Sequence, residues 1–204
     1  MEQLSLFGEW EGRPPPAPPR LARDVLFYAL MLGREVSRPA ARLVAAQRER
    51  HGITGPMRPE ATLHISVLGF GFIDELSEDD VARAGVIANA VAFIPFELSF
   101  VAMMSFGGRS APATRRALVL TPASGSDRIL VLAEQLKAAM IAHGVRPRAF
   151  APKQPHLTLL YDTARMPPTP LEPPLDVAID GFSLVHSHRG QGRYTILWSS
   201  QSTK

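Results

Sequence analysis

Two stretches of this chain place a histidine and a hydroxyl side chain at the same spacing inside apolar surroundings. The first is Leu63-His64-Ile65-Ser66-Val67-Leu68-Gly69, and the second is Pro155-His156-Leu157-Thr158-Leu159-Leu160-Tyr161. On a β-strand, residues two apart share a face. His64 and Ser66 then project from one side of a strand whose Leu63, Ile65 and Val67 face a core. His156 and Thr158 repeat the arrangement against Leu157 and Leu159. A polar group in such a strand costs free energy unless a partner or ligand satisfies it. One such stretch alone reads most simply as a structural histidine. The repeat in two parts of one chain is what points to chemistry. Imidazole titrates near pH 6.5, so of two facing rings one can accept a proton while the other donates one. The two hydroxyls can hydrogen-bond the non-bridging oxygens of a phosphate. Such a site splits a phosphodiester without a metal: one histidine deprotonates water and the other protonates the leaving oxygen.

The surrounding pattern supplies elements to hold these residues. Val25 to Leu32 is a continuous apolar run and predicts a buried strand. Arg34 to Arg50 has helical spacing, with Val36, Ala40, Leu43, Val44 and Gln47 on successive turns. Thr62 to Gly69 predicts the first motif strand. Glu78 to Val91 predicts a helix with Ser77 as N-cap. Phe96 to Phe106 and Arg116 to Thr121 predict strands. Ser126 to Ala142 predicts a helix with Leu130, Leu132, Ala133, Leu136 and Met140 on its apolar side, closed by Gly144. Pro155 to Asp162 carries the second motif, and Asp176 to His186 and Arg193 to Ser199 are the last strands. The Pro-rich Met166 to Pro174 reads as a loop or irregular connection. This order predicts an α+β or α/β domain with mixed sheets. It also contains an approximate duplication: strand, helix, then a motif strand, twice.

The chain has 204 residues, 46% of them hydrophobic, enough for one core without a disulfide or metal staple. Cysteine is absent, which excludes disulfides, thiolate zinc sites and a cysteine nucleophile and agrees with a reducing cytoplasm, where we expect the protein. Net charge is +3, and Lys137, Lys153 and Lys204 are the only lysines among 22 basic residues. Arginine suits bidentate contact with phosphate, although arginine-biased codon use explains the excess as simply. No segment reaches the ~18 uninterrupted apolar residues of a membrane span, and Met1 to Trp10 does not read as a secretion signal. Residues 1–23 are expected to form a flexible tail, with Arg13 to Arg20 an extended polyproline spacer. Residues 24–204 are expected to form a single domain, as a monomer.

The paired motifs also carry a resemblance. Histidine-x-Ser/Thr on two apolar strands is the hallmark of the 2H phosphoesterases. Within them the chain resembles the bacterial 2′-5′ RNA ligase and RNA 2′,3′-cyclic phosphodiesterase family over about residues 24–200. LFYALML resembles that family's first strand, LHISVLGF and PHLTLLY its two signatures, and FSLVHSHRGQGRYTILW its final hairpin. The resemblance implies a bilobal, pseudo-symmetric fold of two sheets around a central cleft with helices outside, and no metal or other cofactor. It implies hydrolysis of a 2′,3′-cyclic phosphate on RNA or a nucleotide to a 2′-phosphomonoester, with 2′-5′ RNA ligation as a related activity. His64 would be the acid for the leaving oxygen, His156 the base for water, and Ser66 and Thr158 the phosphate holders. Many family members have arginine five residues after the second histidine. Here that residue is Tyr161, so the contact is lost, moved to another arginine, or replaced by stacking on the Tyr161 ring. A catalytically silent RNA- or nucleotide-binding protein of the same fold is the rival reading.

Other features are weaker. Lys153 and Gln154 could line the cleft rim. His186-Ser187-His188 alternates correctly for metal ligation on a strand, but no carboxylate or further histidine lies near it in sequence, so a solvated or structural role is expected. His51 and His143 suit the negative ends of helix dipoles. Gly107-Gly108-Arg109-Ser110 lacks a Walker pattern and reads as a hairpin or lid loop. Arg115 and Arg116 read as a solvated face. Gln3-Leu4-Ser5-Leu6-Phe7 resembles the peptide with which bacterial replication and repair proteins dock on the sliding clamp, an extended segment that an apolar groove could take.

Overall fold

A computed structural model describes residues 23–106, 116–145 and 152–200. Eight strands and three helices follow one another as β1 (Val25–Met31), α1 (Gly33–His51), β2 (His64–Phe72), α2 (Glu78–Asn89), β3 (Phe96–Phe106), β4 (Arg116–Ser124), α3 (Ser126–Ala142), β5 (Leu157–Asp162), β6 (Thr169–Ile179), β7 (Ser183–His188) and β8 (Arg193–Ser199). The strands are antiparallel and lie in the order β6-β3-β4-β5-β2-β1-β7-β8. The order is symmetric about the β5–β2 junction. Each half has a β-α-β unit, β1-α1-β2 or β4-α3-β5, whose second strand carries a motif and lies at the centre. The two sheets expected around a cleft are thus two four-stranded halves joined edge to edge.

Chain lengths show that these halves cannot share a plane. Six inter-strand steps of ~4.8 Å would put β6 and β7 roughly 29 Å apart in a flat sheet. The connection from Ile179 to Ser183 can span only ~14 Å. The sheet therefore bends back on itself about β5–β2. Phe182, in that connection, is buried against Tyr28, Phe93 and Trp198.

One continuous core lies on the helix side of the sheet. Val36, Ala40 and Val44 of α1 and Leu132 and Leu136 of α3 share it with Leu63, Ile65, Leu157 and Leu159. Tyr28 ties β1 to α2 by donating to the Ala84 carbonyl at 2.9 Å. Ser77 caps α2 as expected: its Oγ accepts from the Asp80 amide at 3.1 Å, and Asp80 accepts from the Ser77 amide at 3.0 Å. On α3, Ile129 is buried along with Leu132, Ala133, Leu136 and Met140, while Leu130 is exposed.

The region from Met166 to Ile179 departs from the expected order. From Thr169 the Pro-rich segment is not a loop but the first part of β6, an outermost strand that pairs with β3 alone. Proline lacks the ladder N–H and is tolerated there because the outer edge needs no donor. Pro173 and Pro174 fall where the pairing skips from Pro170 to Leu175. The apolar run from Asp176 to His186 divides at Asp180–Phe182, where the chain passes from one half of the sheet to the other. No helix of the described residues is long and apolar enough to cross a membrane. Gln3–Phe7, Gly107–Ser110 and Arg115 lie outside the described residues.

Candidate active site

The motif strands meet at one ladder position, Ile65 opposite Leu157. Antiparallel register one residue to either side sets His64 across from Thr158 and Ser66 across from His156. Each histidine thus faces the hydroxyl of the other motif, and the imidazoles lie on a diagonal. Ile65 and Leu157 point into the core, so the four polar side chains share the opposite face.

Both motif strands carry a β-bulge at the same place. In β1–β2, Tyr28 pairs with Leu68 and Ala29 with Ser66, which skips Val67. In β4–β5, Leu118 pairs with Leu160 and Val119 with Thr158, which skips Leu159. A bulge shifts the face alternation by one residue. Leu160 is therefore buried, and Tyr161, 40% exposed, emerges on the side of Thr158.

The histidines are held alike. His64 Nδ1 donates to the Thr62 carbonyl at 2.8 Å, and His156 Nδ1 donates to the Gln154 carbonyl at 2.9 Å. Each bond fixes the tautomer, with the proton of the neutral ring on Nδ1 and the lone pair on Nε2. His64 Nε2 is 3.2 Å from Ser66 Oγ. Aromatic rings fix the orientations: Phe27 and Tyr194 each sit 5.2 Å from the His64 ring, and Phe106 sits 4.7 Å from the His156 ring.

His64 is the more enclosed histidine, and burial lowers its pKa from 6.5 to about 4, with the positive charges of Arg58, His156 and Arg189 acting the same way. His64 is therefore neutral at pH 7. Arg58 donates through Nη2 to the Tyr194 hydroxyl at 2.8 Å, while its Nε is buried with no partner among the described residues. Burial raises the Tyr194 pKa. Arg58 is placed by the second motif strand: its amide donates to the Leu159 carbonyl at 2.8 Å, and Met57 bridges to Leu160. Asp162 holds the preceding turn by accepting from the amides of Thr54 at 2.8 Å and Gly55, and from that of Ala164 at 2.7 Å. Burial works against the Asp162 charge, but these backbone donors outweigh it and keep its pKa below the usual carboxylate range. Gly55 must be glycine, since a Cβ there would lie 2.3 Å from the Tyr161 carbonyl oxygen.

The structure therefore brings His64, Ser66, His156 and Thr158 together and places Tyr161 within electrostatic reach of Tyr194. Lys153 and Gln154 are exposed ahead of β5, and Gln154 contributes its backbone carbonyl. Arg116 is occupied in part by the Thr163 carbonyl, to which Nη1 donates at 2.9 Å. Phe27, Arg58, Phe106, Arg189 and Tyr194 were not marked by the sequence. Arg58 lies six residues before His64 in a Pro-flanked turn, and only the fold shows that this turn returns to β5. His186 and His188 have a carboxylate partner that is distant in sequence: Asp24 reaches them across β1–β7.

The sequence pattern of the 2′-5′ RNA ligase superfamily matches residues 36–191. No curated protein matches the chain in sequence. Among solved structures, TT0787 of Thermus thermophilus is 25% identical with a TM-score of 0.66, over 87% of this chain and 97% of that one. Escherichia coli LigT complexed with NADP+ is 22% identical with a TM-score of 0.64, over 90% of this chain and all of LigT. LigT complexed with 3′-AMP gives 22% and 0.63 over the same shares.

Proposed function

The chain belongs to the 2′-5′ RNA ligase superfamily, and from that premise we propose that it hydrolyses 2′,3′-cyclic phosphodiesters at RNA ends or on small nucleotides, using His64 and His156 as a proton-transfer pair. The observation that carries this reading is the diagonal placement of two His-hydroxyl pairs about Ile65–Leu157, with both Nδ1 atoms engaged by backbone carbonyls and His64 Nε2 beside the Ser66 hydroxyl. A phosphate centred on that diagonal has one imidazole on each side, as in-line displacement requires.

In this reading His156 Nε2 takes a proton from water as its oxygen attacks phosphorus. The bond from phosphorus to O3′ breaks, and His64 Nε2–H protonates O3′. The product is a 2′-phosphomonoester. With an RNA 5′-hydroxyl in place of water, the same proton transfers give a 2′-5′ linkage. Ser66 and Thr158 donate to the non-bridging oxygens. Arg58, with its unpartnered buried Nε, supplies the cationic contact that arginine makes five residues after the second histidine in relatives. Tyr161 offers its ring to the base. His64 on its own is neutral, so its acid role requires the bound phosphate, whose negative charge favours the imidazolium. Substrate should then bind with proton uptake. LigT has been solved in complex with ATP and with 3′-AMP, which supports nucleotide binding by this chain. The rival, a silent binding protein, is disfavoured by the four intact motif residues.

Incubation with 2′,3′-cyclic AMP and an RNA ending in a cyclic phosphate, in EDTA, tests the reading by phosphorus NMR. A 2′-phosphomonoester is expected. Absence of turnover on both, or a 3′-phosphomonoester product, would overturn it.

A further inference from the structure

A second group of ligating side chains gathers on the reverse face of the sheet. β1 and β7 pair with Val25 opposite Ser187 and Leu26 opposite His186. Val185 packs with Phe27 on the cleft side, so His186 and His188, two apart on β7, both project the other way. Asp24, immediately before β1, meets them. Its Oδ2 lies 2.8 Å from His186 Nε2 and 3.4 Å from His188 Nδ1, and the two imidazole centroids are 4.0 Å apart. One ligand atom from each of the three residues lies within 4.8 Å of the others.

The remaining atoms of two of these groups are already engaged. Asp24 Oδ1 accepts from the Arg189 amide at 2.9 Å, and His188 Nε2 is 2.8 Å from Thr195 Oγ1. At 3.4 Å, His188 Nδ1 is too far from the carboxylate for a good hydrogen bond. The short contact to Thr195 holds the His188 ring with Nδ1 facing Asp24 Oδ2. Second bonds of this kind orient the ligands in metal sites. Ligand atoms about 2.1 Å from a common ion are themselves roughly 3–3.5 Å apart, close to the spacing present.

We propose that Asp24, His186 and His188 bind a divalent first-row transition metal such as Zn2+, with water completing its coordination. Two imidazoles and one carboxylate suit such ions and not Mg2+ or Ca2+, which take oxygen ligands. The ion would clasp the start of β1 to the end of β7 and, through the Arg189 amide, to the turn into β8. It lies on the face opposite His64 and His156 and takes no part in their chemistry.

The test uses the untagged full chain, stripped with chelator and titrated with Zn2+ by calorimetry and with Co2+ by its visible absorption. One equivalent should bind saturably, raise Tm in proportion to occupancy, and persist in the His64→Ala/His156→Ala double variant. It should disappear in Asp24→Asn and His186→Ala and weaken roughly 10–100-fold in Thr195→Val. Circular dichroism checks that each variant folds; should His186→Ala fail to fold, the near-isosteric Asp24→Asn decides. No saturable uptake by the wild type, uptake that survives Asp24→Asn, or uptake lost with the cleft histidines would overturn the proposal.

Discussion

Ile65 of β2 stands opposite Leu157 of β5, and among the described residues this one ladder position holds the two halves of the sheet in register. Both side chains are fully buried, and each is flanked by a histidine and a hydroxyl residue. The joint of the fold and the centre of the candidate site are the same place. Leu157→Ala should destabilise the protein by roughly 2–5 kcal/mol. It should also lower kcat beyond the fraction unfolded, because the strand carrying His156 loses its seat against Ile65. Denaturant midpoints and kcat in folding conditions check this; normal kcat in the folded variant would show that the joint does not set the geometry.

His64 should mark the pH dependence of stability. Folded His64 takes up a proton only near pH 4, whereas an unfolded histidine does so near pH 6.5. Above pH 6.5 neither state is protonated and the contribution is complete. As pH falls from 6.5 toward 4, the unfolded chain binds a proton that the folded chain does not, and stability drops. Below 4 the loss levels off. Between pH 7 and pH 5 the cost is roughly 2 kcal/mol, in a window above the range of Asp74 and Asp162, whose pKa values are lowered. His64→Gln should flatten that slope in urea titrations; an unchanged slope would contradict the burial of His64.

Arg58 offers a test that separates charge from shape. Arg58→Met removes the cation that helps hold His64 neutral, so the His64 pKa should rise by NMR. It also removes a charge-assisted contact worth roughly 1.5–3 kcal/mol, so kcat/KM should fall about 10–150-fold. Arg58→Lys keeps the charge but not the planar fork. It should leave the His64 pKa low and still lose part of kcat/KM. Full activity in both variants would remove Arg58 from the site.

Asp162 should matter at a distance. Asp162→Ala orphans the amides of Thr54, Gly55 and Ala164, a loss of roughly 3 kcal/mol. The turn that leads to Arg58 would loosen, so the folded variant should show the kinetic defect of Arg58→Met. A stability loss without that defect would mean that Met57 and its bridge to Leu160 suffice to place Arg58.

Much of this was legible in the chain because the signals were local. Alternation in LHISVLG and PHLTLLY assigns the core-facing residues, and Ser77 three residues before Asp80 announces the cap of α2. What escaped was set by distance or by edges. Pro170, Pro173 and Pro174 look like loop residues until β6 is known to be outermost. The bulges at Val67 and Leu159, which turn Tyr161 outward, depend on partner strands and leave no periodic trace. Arg58, Phe27 and Tyr194 reach His64 only through the fold, and Asp24 meets His186 from 162 positions away.

The central claim is that His64 and His156 together move the protons of phosphodiester cleavage. Single-turnover hydrolysis of an RNA ending in a 2′,3′-cyclic phosphate, followed for wild type, His64→Ala, His156→Ala and the double variant, tests it most directly. A loss of roughly 10²–10⁴-fold is expected for each single variant, with little further loss in the double variant and a bell-shaped wild-type pH profile that loses one limb in each single variant. Cleavage at the wild-type rate in either folded single variant would contradict it.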